Sequence, residues 1–221
     1  MGATTLAFSI GLNIAIDQKR PCVIFSLTES KYRVANRLLA LQSGVERERI
    51  HRVDLDRDQL NKISRAAEEI KSSPLFIVDS AFSVQAIQEK IERSFSYVTP
   101  AIVIIDDLSE LAPLHDSRKV SKVVKQIKCL IHETGVAVIL TSLFLRKLEK
   151  RKCKYPALND LPKGLRLPSP DLLLMLYREA YYNPGPKMED GTADIFIGSN
   201  RHGSMRPARL KFSDGQFLRY A

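Results

Sequence analysis

The sequence predicts an α/β fold: a mostly parallel sheet flanked by helices, with antiparallel strands at the C-terminal end. Three observations predict it. Residues 102–105 are four consecutive β-branched apolar residues, too hydrophobic for a strand with one wet face and suited to one buried on both. Between residues 4 and 142 such runs alternate with stretches of helical period, the order that right-handed crossovers in a parallel sheet require. Beyond residue 171 the helical period is gone, and short strand-like runs succeed one another across turns.

Taken in order, residues 4–18 read as a helix, since Leu6, Ile10 and Ile14, with Leu12 and Ile16 nearby, recur close to helical spacing. Residues 21–27 are a strand. Residues 29–41 are a second helix, ended near Gly44, and 47–55 are a polar loop or short helix. Residues 56–72 are a helix with Leu60, Ile63, Ala67 and Ile70 on one face and charges opposite. Residues 75–79 form a strand, 83–97 a helix, and the strand ending at Asp106 comes next. Residues 120–133 form a helix with Val123, Ile127, Leu130 and Ile131 on its apolar face and Lys122, Lys125 and Lys128 on a basic one. Gly135 ends it, and 136–142 are again a buried strand. Residues 146–167 have no clear period and contain Pro156, Pro162 and Gly164; a loop of this length is functional or disordered. Residues 171–177, 192–198, 206–212 and 216–220 are strands. Ser213, Asp214 and Gly215 between the last two are a hairpin signal. There is no internal repeat and no low-complexity tract.

The length of 221 residues suits one domain or two small ones, and 44% hydrophobic content suffices for a large core. The net charge of +9 favours anionic partners, nucleic acid first and acidic membrane surfaces second; a plain basic surface gives the same count. Cys22, Cys129 and Cys153 are odd in number and form no CxxC pair, which argues against a disulfide framework or zinc site and suits a reducing compartment. The first residues lack a basic n-region, the apolar stretch through Ile16 is too short to span a membrane, and Leu6 stands where a myristoylation pattern needs Ser or Thr. The expectation is a soluble, cytoplasmic protein.

The run at 102–105 stops at two carboxylates, Asp106 and Asp107. In open α/β sheets ligands sit at the carboxyl ends of the strands. A carboxylate there is placed to hold a magnesium ion on a nucleotide phosphate. Ending the strand, or capping the next segment, is the alternative role for Asp106.

Several short patterns recur in one order: Met1, Gly2 and Thr4; Phe25, Ser26 and Leu27; Ile104, Ile105, Asp106 and Leu108; Ser142 and Arg146. They continue with Pro156, Leu158, Asp160 and Leu161, the Tyr177–Arg178 and Tyr181–Tyr182 pairs, and residues 200–203. Singly each is weak; in this order and spacing the chain resembles the C-terminal, RecA-like motor domain of DnaB-type replicative helicases, from residue 1 to residue 221. The resemblance implies one RecA-like domain over 1–221, with ATP and Mg2+ as cofactors and single-stranded DNA and other helicase subunits as partners. It implies that the chain begins inside the P-loop: Gly2 at the last glycine, Thr4 at the magnesium-binding hydroxyl, Thr5 beside it. The first P-loop strand and an N-terminal collar domain are then missing. Asp106 keeps the magnesium-side carboxylate.

Against that pattern Ala3 stands at the lysine, Thr28 at the water-activating glutamate and Leu143 at the phosphate-sensing glutamine. Glu29 is one residue past the glutamate position and is expected to point elsewhere. Of the Lys-x-Arg pair that reaches a neighbour's nucleotide site, the lysine is Ser199 and only Arg201 remains. Phosphoryl transfer is mostly positioning and charge neutralisation, and losing a base or an oxyanion-type donor costs roughly 10²–10³-fold in rate. The expectation is an impaired or lost ATPase on a scaffold whose apolar pattern is intact. The alternatives are a non-catalytic subunit that assembles with an active homologue, and a gene remnant.

The basic loop at 146–154 has six cations and one anion. The resemblance places it, with the turn after Asp160 and Leu161, along a channel that holds single-stranded DNA by its phosphates. Arg146, Lys147, Lys150, Arg151 and Lys163 are the candidate contacts, and Gly164 keeps a backbone able to approach a phosphate. Pro162 replaces the family's arginine there. A solvated surface loop is the plainer alternative.

Overall fold

The computed structural model describes residues 2–95, 99–166, 170–183, 191–213 and 215–219. Met1 of the opening pattern, the expected element ends at Tyr97, Leu167 and Tyr220, and the turn residue Asp214 lie outside these. Two four-stranded sheets organise the chain. The first is parallel, in the order β2-β1-β3-β4, with β1 at Cys22–Ser26, β2 at Leu75–Val78, β3 at Ile102–Asp106 and β4 at Ala137–Leu140.

β1 and β3 are central and every residue in them is buried. Alternate side chains serve two cores. Cys22, Ile24, Ile102 and Ile104 face a cluster with Ala7, Phe8 and Leu12 of α1 (Ala3–Leu12) and Val34 and Leu38 of α2 (Lys31–Ser43). Val23, Phe25, Val103 and Ile105 face the other side, against α5 (Val84–Ser94) and α7 (Ser117–Thr134). Both faces are dry, which is why these strands carry no polar alternation. Gly11 lets α1 come close to β3: a Cβ there would sit 2.9 Å from Ile104 Cδ1.

The helices start and stop where their local chemistry directs. Asp56 accepts from the Gln59 amide at 2.8 Å while the Gln59 side chain accepts from the Asp56 amide at 3.2 Å, a capping box that opens α4 (Arg57–Lys71). Asp116 accepts from the amides of Arg118 and Lys119 to open α7, and Gly135, at φ 69, closes it in the left-handed region. α1 is continued by a π-turn over Asn13–Asp17, so the first helical segment ends near the expected residue 18. α3 is a short helix over Arg47–Arg52.

Two expectations change. β4 is an edge strand rather than a fully buried one: Ala137 is exposed and the next three residues are half-buried. A hydrophobic run shows that both faces are covered, not whether both edges are paired. On α4, Ala66 is buried while Leu60 is 49% exposed and Ala67 exposed. α4 packs on α2 rather than on the sheet, and the small Ala66 allows close approach, which rotates the buried stripe.

The second sheet is antiparallel, in the order β5-β6-β7-β8, with β5 at Leu172–Tyr177, β6 at Thr192–Asn200, β7 at Ala208–Ser213 and β8 at Gln216–Arg219. α6 (Leu108–Leu111) comes after β3 and α8 (Glu179–Tyr182) after β5. The hairpin reaches back to the first sheet's helices: the Gln216 amide donates to the Ala40 carbonyl at 2.9 Å. The aperiodic stretch after β4 contains three short 3₁₀ turns, at Arg146–Lys150, Leu158–Asp160 and Lys163–Leu165.

Candidate nucleotide site and basic loop

The carboxyl ends of β1, β3 and β4 are stitched together around Asp106. The Leu27 amide donates to the Asp106 carbonyl at 2.7 Å, the Thr141 amide to the Ile105 carbonyl at 3.1 Å, and the Leu108 amide to the Thr141 carbonyl at 3.0 Å. Asp106 itself is 3% exposed. Its Oδ1 accepts from the Thr141 hydroxyl at 2.5 Å and from the Thr4 hydroxyl at 2.9 Å. Burial holds the Asp106 carboxyl above the ordinary carboxylate range, helped by the nearby Asp107; the two threonine hydroxyls and the Arg37 guanidinium oppose the shift.

Asp107 takes the capping role instead. Its side chain accepts from the Ser109 amide at 2.7 Å and from the Ser109 hydroxyl, opening α6. The helix-capping role, one of those open to Asp106 in the sequence, thus falls to its neighbour Asp107.

Gly2 caps α1 at φ 111, and Thr4 projects from the first turn toward Asp106. Thr5 lies in the same turn, where its carbonyl accepts from the Ser9 hydroxyl at 2.9 Å. Ala3 begins the helix and brings no charge. Thr28 is exposed, and Leu143 is 58% exposed. The Glu29 Oε1 pairs with Arg37 at 3.0 Å and with Arg47 at 3.5 Å.

Arg37 is a residue that the sequence pattern does not single out. It lies on α2 between Glu29 and the field of Asp106, with its guanidinium 5.9 Å over the Phe8 ring. Burial lowers its pKa, while Glu29 and Asp106 raise it. The available signal is an arginine on the apolar stripe of Val34, Leu38 and Leu41. A second such group lies beside Gly2. The Arg178 guanidinium is 3.5 Å from the Phe212 ring centroid, and Phe212 meets Phe217 edge-on at 4.8 Å. A Cβ on Gly2 would stand 2.9 Å from the Phe217 ring. In the sequence Arg178 carries only the family resemblance.

The candidate DNA residues fall into three settings. Arg146, Lys147, Lys150 and Lys163 are exposed cations. Arg151 is held inside the loop: it pairs with Asp160 at 3.0 Å and donates to the Tyr155 carbonyl at 2.6 Å. Asp160, 1% exposed, also accepts from the Ala157 amide at 2.8 Å, and its carbonyl receives the Leu145 amide at 2.8 Å. With Leu148 fully buried, these bonds pin the two halves of the loop together. Gly164 is buried against α7, where a Cβ would meet Ser121 N at 2.6 Å. Arg201 stands past the end of β6, paired with Asp171 at 2.6 Å and 60% exposed.

Magnesium is commonly bound through one or two carboxylates plus substrate phosphates and water. Asp106 with the Thr4 hydroxyl fits that share. No cluster of three or more acidic, His or Cys ligands exists among the described residues.

The profile of the DnaB-like helicase C-terminal domain matches residues 1–221. The chain belongs to this DnaB-like family. It is 31% identical over 230 residues to a probable replicative DNA helicase of Trieres chinensis, covering 100% of this chain and 50% of that protein. It is 30% identical over 229 residues to the replicative DNA helicase DnaB of Haemophilus influenzae, covering 100% of this chain and 48% of that protein. The chain thus spans about half the length of these relatives. Among solved structures, a DnaB-like replicative helicase, described with its interactions with primase, superposes with a TM-score of 0.87 at 28% identity, covering 99% of this chain and 54% of that one. A second solved structure, an ATPase domain, superposes at 0.86 with 27% identity, covering 99% and 80%. The fold is therefore RecA-like, and Asp106 lies in a DnaB-like helicase C-terminal domain.

Proposed function

We propose that residues 1–221 act as a single RecA-like motor domain of a replicative DNA helicase, binding single-stranded DNA with an impaired or lost ATPase site. The observation that carries this is the Thr4–Asp106–Thr141 constellation without a partner for the transferred phosphate. Asp106 and Thr4 would hold Mg2+ of an Mg·ATP complex, which supplies charge neutralisation at the phosphate oxygens. Arg37 is near enough to Asp106 to add positive charge. Ala3, Thr28 and Leu143 offer no ammonium, base or amide, and Glu29 is tied to two arginines. Each missing donor or base costs about 10²–10³-fold in rate, so binding outlasts turnover.

Arg146, Lys147, Lys150 and Lys163 would meet DNA phosphates, Arg151 after leaving Asp160. The family setting favours assembly with like subunits and a cytoplasmic place. No helix among the described residues is long and apolar enough to cross a membrane.

The deciding experiment is ATP turnover by purified protein with single-stranded DNA, beside an Asp106→Ala control. Turnover equal to the control supports the proposal. Turnover clearly above it refutes the loss of activity.

One observation favours a second role, that of a non-catalytic subunit in a ring of an active homologue. Arg201 and its partner Asp171 are both more than half exposed, and an exposed pair of this kind is worth about 0–1 kcal/mol. The guanidinium is thus cheaply released to a neighbour's phosphate. Co-purification with a full-length helicase, and a fall in the mixture's ATPase on Arg201→Ala, would support this role; a mixture indifferent to Arg201→Ala would remove it.

A further inference from the structure

One outer face of the parallel layer is not used by the nucleotide site or the loop. α5 and α7 leave a groove of about 750 Å3 between them. Its walls carry Gln85 and Gln88 from α5 and Arg118, Ser121, Lys122 and Lys125 from α7. Arg118, Lys122 and Lys125 are exposed and succeed one another at i, i+4 and i+7 on one helix face. None of the three has an ion-pair partner among the described residues.

The acids nearby are engaged elsewhere. Glu89 pairs with Arg93 and accepts from Gln85; Glu92 and Glu133 both accept from Gln88. Asp116 is turned to the first amides of α7 and to Lys119. Three positive charges therefore stand without an ion-pair partner among the described residues along about 10.5 Å of helix, with the Glu92 and Glu133 carboxylates held by Gln88.

We infer that this groove holds the sugar–phosphate backbone of a single nucleic-acid strand, as a second contact track that begins where Lys163 ends. This extends the proposed DNA binding and rests on it. Phosphates are about 3.4 Å apart along the axis for one strand of a duplex and farther apart in an extended single strand, so the stripe faces about two or three of them. The Ser117 and Ser121 hydroxyls in the wall are donors for phosphate oxygens, while the Gln85 and Gln88 amides are held by Glu89, Glu92 and Glu133. Among the described residues no aromatic ring lines the groove, so the contact proposed is to the backbone rather than to the bases.

Two further observations choose nucleic acid over an acidic protein segment. The turn that carries the exposed Lys163 is seated through Gly164 on Ser117 and Ser121, two residues of the groove's wall. A docked amphipathic helix needs apolar sockets; among the described lining residues only Val84 and Cys129 are apolar side chains, and the other carbon surface belongs to polar or charged residues.

The test is oligo-dT binding to the 221-residue chain, followed by anisotropy over a range of salt. The combined variant Arg118→Gln, Lys122→Gln, Lys125→Gln should flatten the slope of log K against log[salt] by about 1.4–2, since each single-strand phosphate contact contributes about 0.7. Lys122→Arg with Lys125→Arg should keep the slope, and unchanged circular dichroism should accompany both. A loop variant, Arg146→Gln, Lys147→Gln, Lys150→Gln, should lose its own share and leave the groove's share in place. In a Cys153→Ser background a thiol-reactive oligonucleotide should couple to the exposed Cys129, and less so in the groove variant.

A groove variant with the parental slope, while the loop variant loses slope, overturns the inference and leaves DNA binding by the loop standing. No binding by the parent chain sinks both. Protection of Cys129 by polyglutamate at concentrations where oligo-dT gives none would reassign the groove to an acidic protein and overturn the inference.

Discussion

Replacing Gly164 with alanine would distinguish two reasons for a glycine at this turn: access to a phosphate, or contact with a helix. The turn at Lys163–Leu165 meets α7 backbone to backbone. An added Cβ would stand 2.6 Å from Ser121 N, 2.7 Å from Ser117 O and 2.7 Å from Val120 Cβ. These atoms belong to the helix and cannot swing aside, so the turn must lift. Overpacking of this kind costs about 1–3 kcal/mol. For a domain of this size each kcal/mol moves Tm by about 2–4 °C, so a mid-range cost lowers Tm by about 4–8 °C. Thermal melts by circular dichroism read it directly, and oligo-dT affinity should fall in parallel because Lys163 rides on the same turn. An unchanged Tm would refute the packing argument. An unchanged Tm with lost DNA affinity would return Gly164 to the phosphate role.

Asp106→Asn should raise Tm at neutral pH while abolishing Mg-dependent nucleotide retention. The folded carboxyl is held above its unfolded value, so the folded state binds the proton more tightly. Stability then falls as pH rises through that window, and the variant's advantage should vanish below the ordinary carboxylate range; a destabilised variant at pH 7 would contradict this. Asp160→Ala strands the Ala157 amide and frees Arg151, whose 40% exposure discounts its own share. The loss should be about 1–3 kcal/mol by urea titration, with faster proteolysis of the basic loop. Ile104→Ala, at a fully buried position in β3, should cost about 2–5 kcal/mol, and a smaller shift in urea midpoint would mean that α1 closes over the gap. Burial pushes the Cys22 thiol up to about 12. Cys129 and Cys153 should therefore react with a thiol reagent in the native state and Cys22 only on unfolding; fast labelling of Cys22 would argue against the packed α1 face.

The central strands are legible in the sequence because burial on both faces leaves no polar alternation to confuse with a helix. Asp106 is legible for the same reason, as a charge ending such a run. β4 shows the limit: Val138 and Leu140 pack on one core and Ile139 on the other, so its run reads as central although the strand is an edge. Arg37 and Arg178 are not legible because their roles come from elements distant in sequence. Arg37 matters through Glu29 and Asp106, and Arg178 through a ring on β7. Gly164 is ambiguous in kind: a glycine at a close approach looks the same whether its neighbour is a phosphate or a helix.

The edge position of β4 bears on handling the protein. Residues 136–141 contain no charge and no proline, and such short β-prone segments are the usual seeds of strand-by-strand growth when an edge is open. Two copies meeting along this rim would extend one sheet into the next without unfolding either. Concentrated samples should therefore thicken into oligomers through this side first, and a lysine grafted onto the rim would act as a gatekeeper.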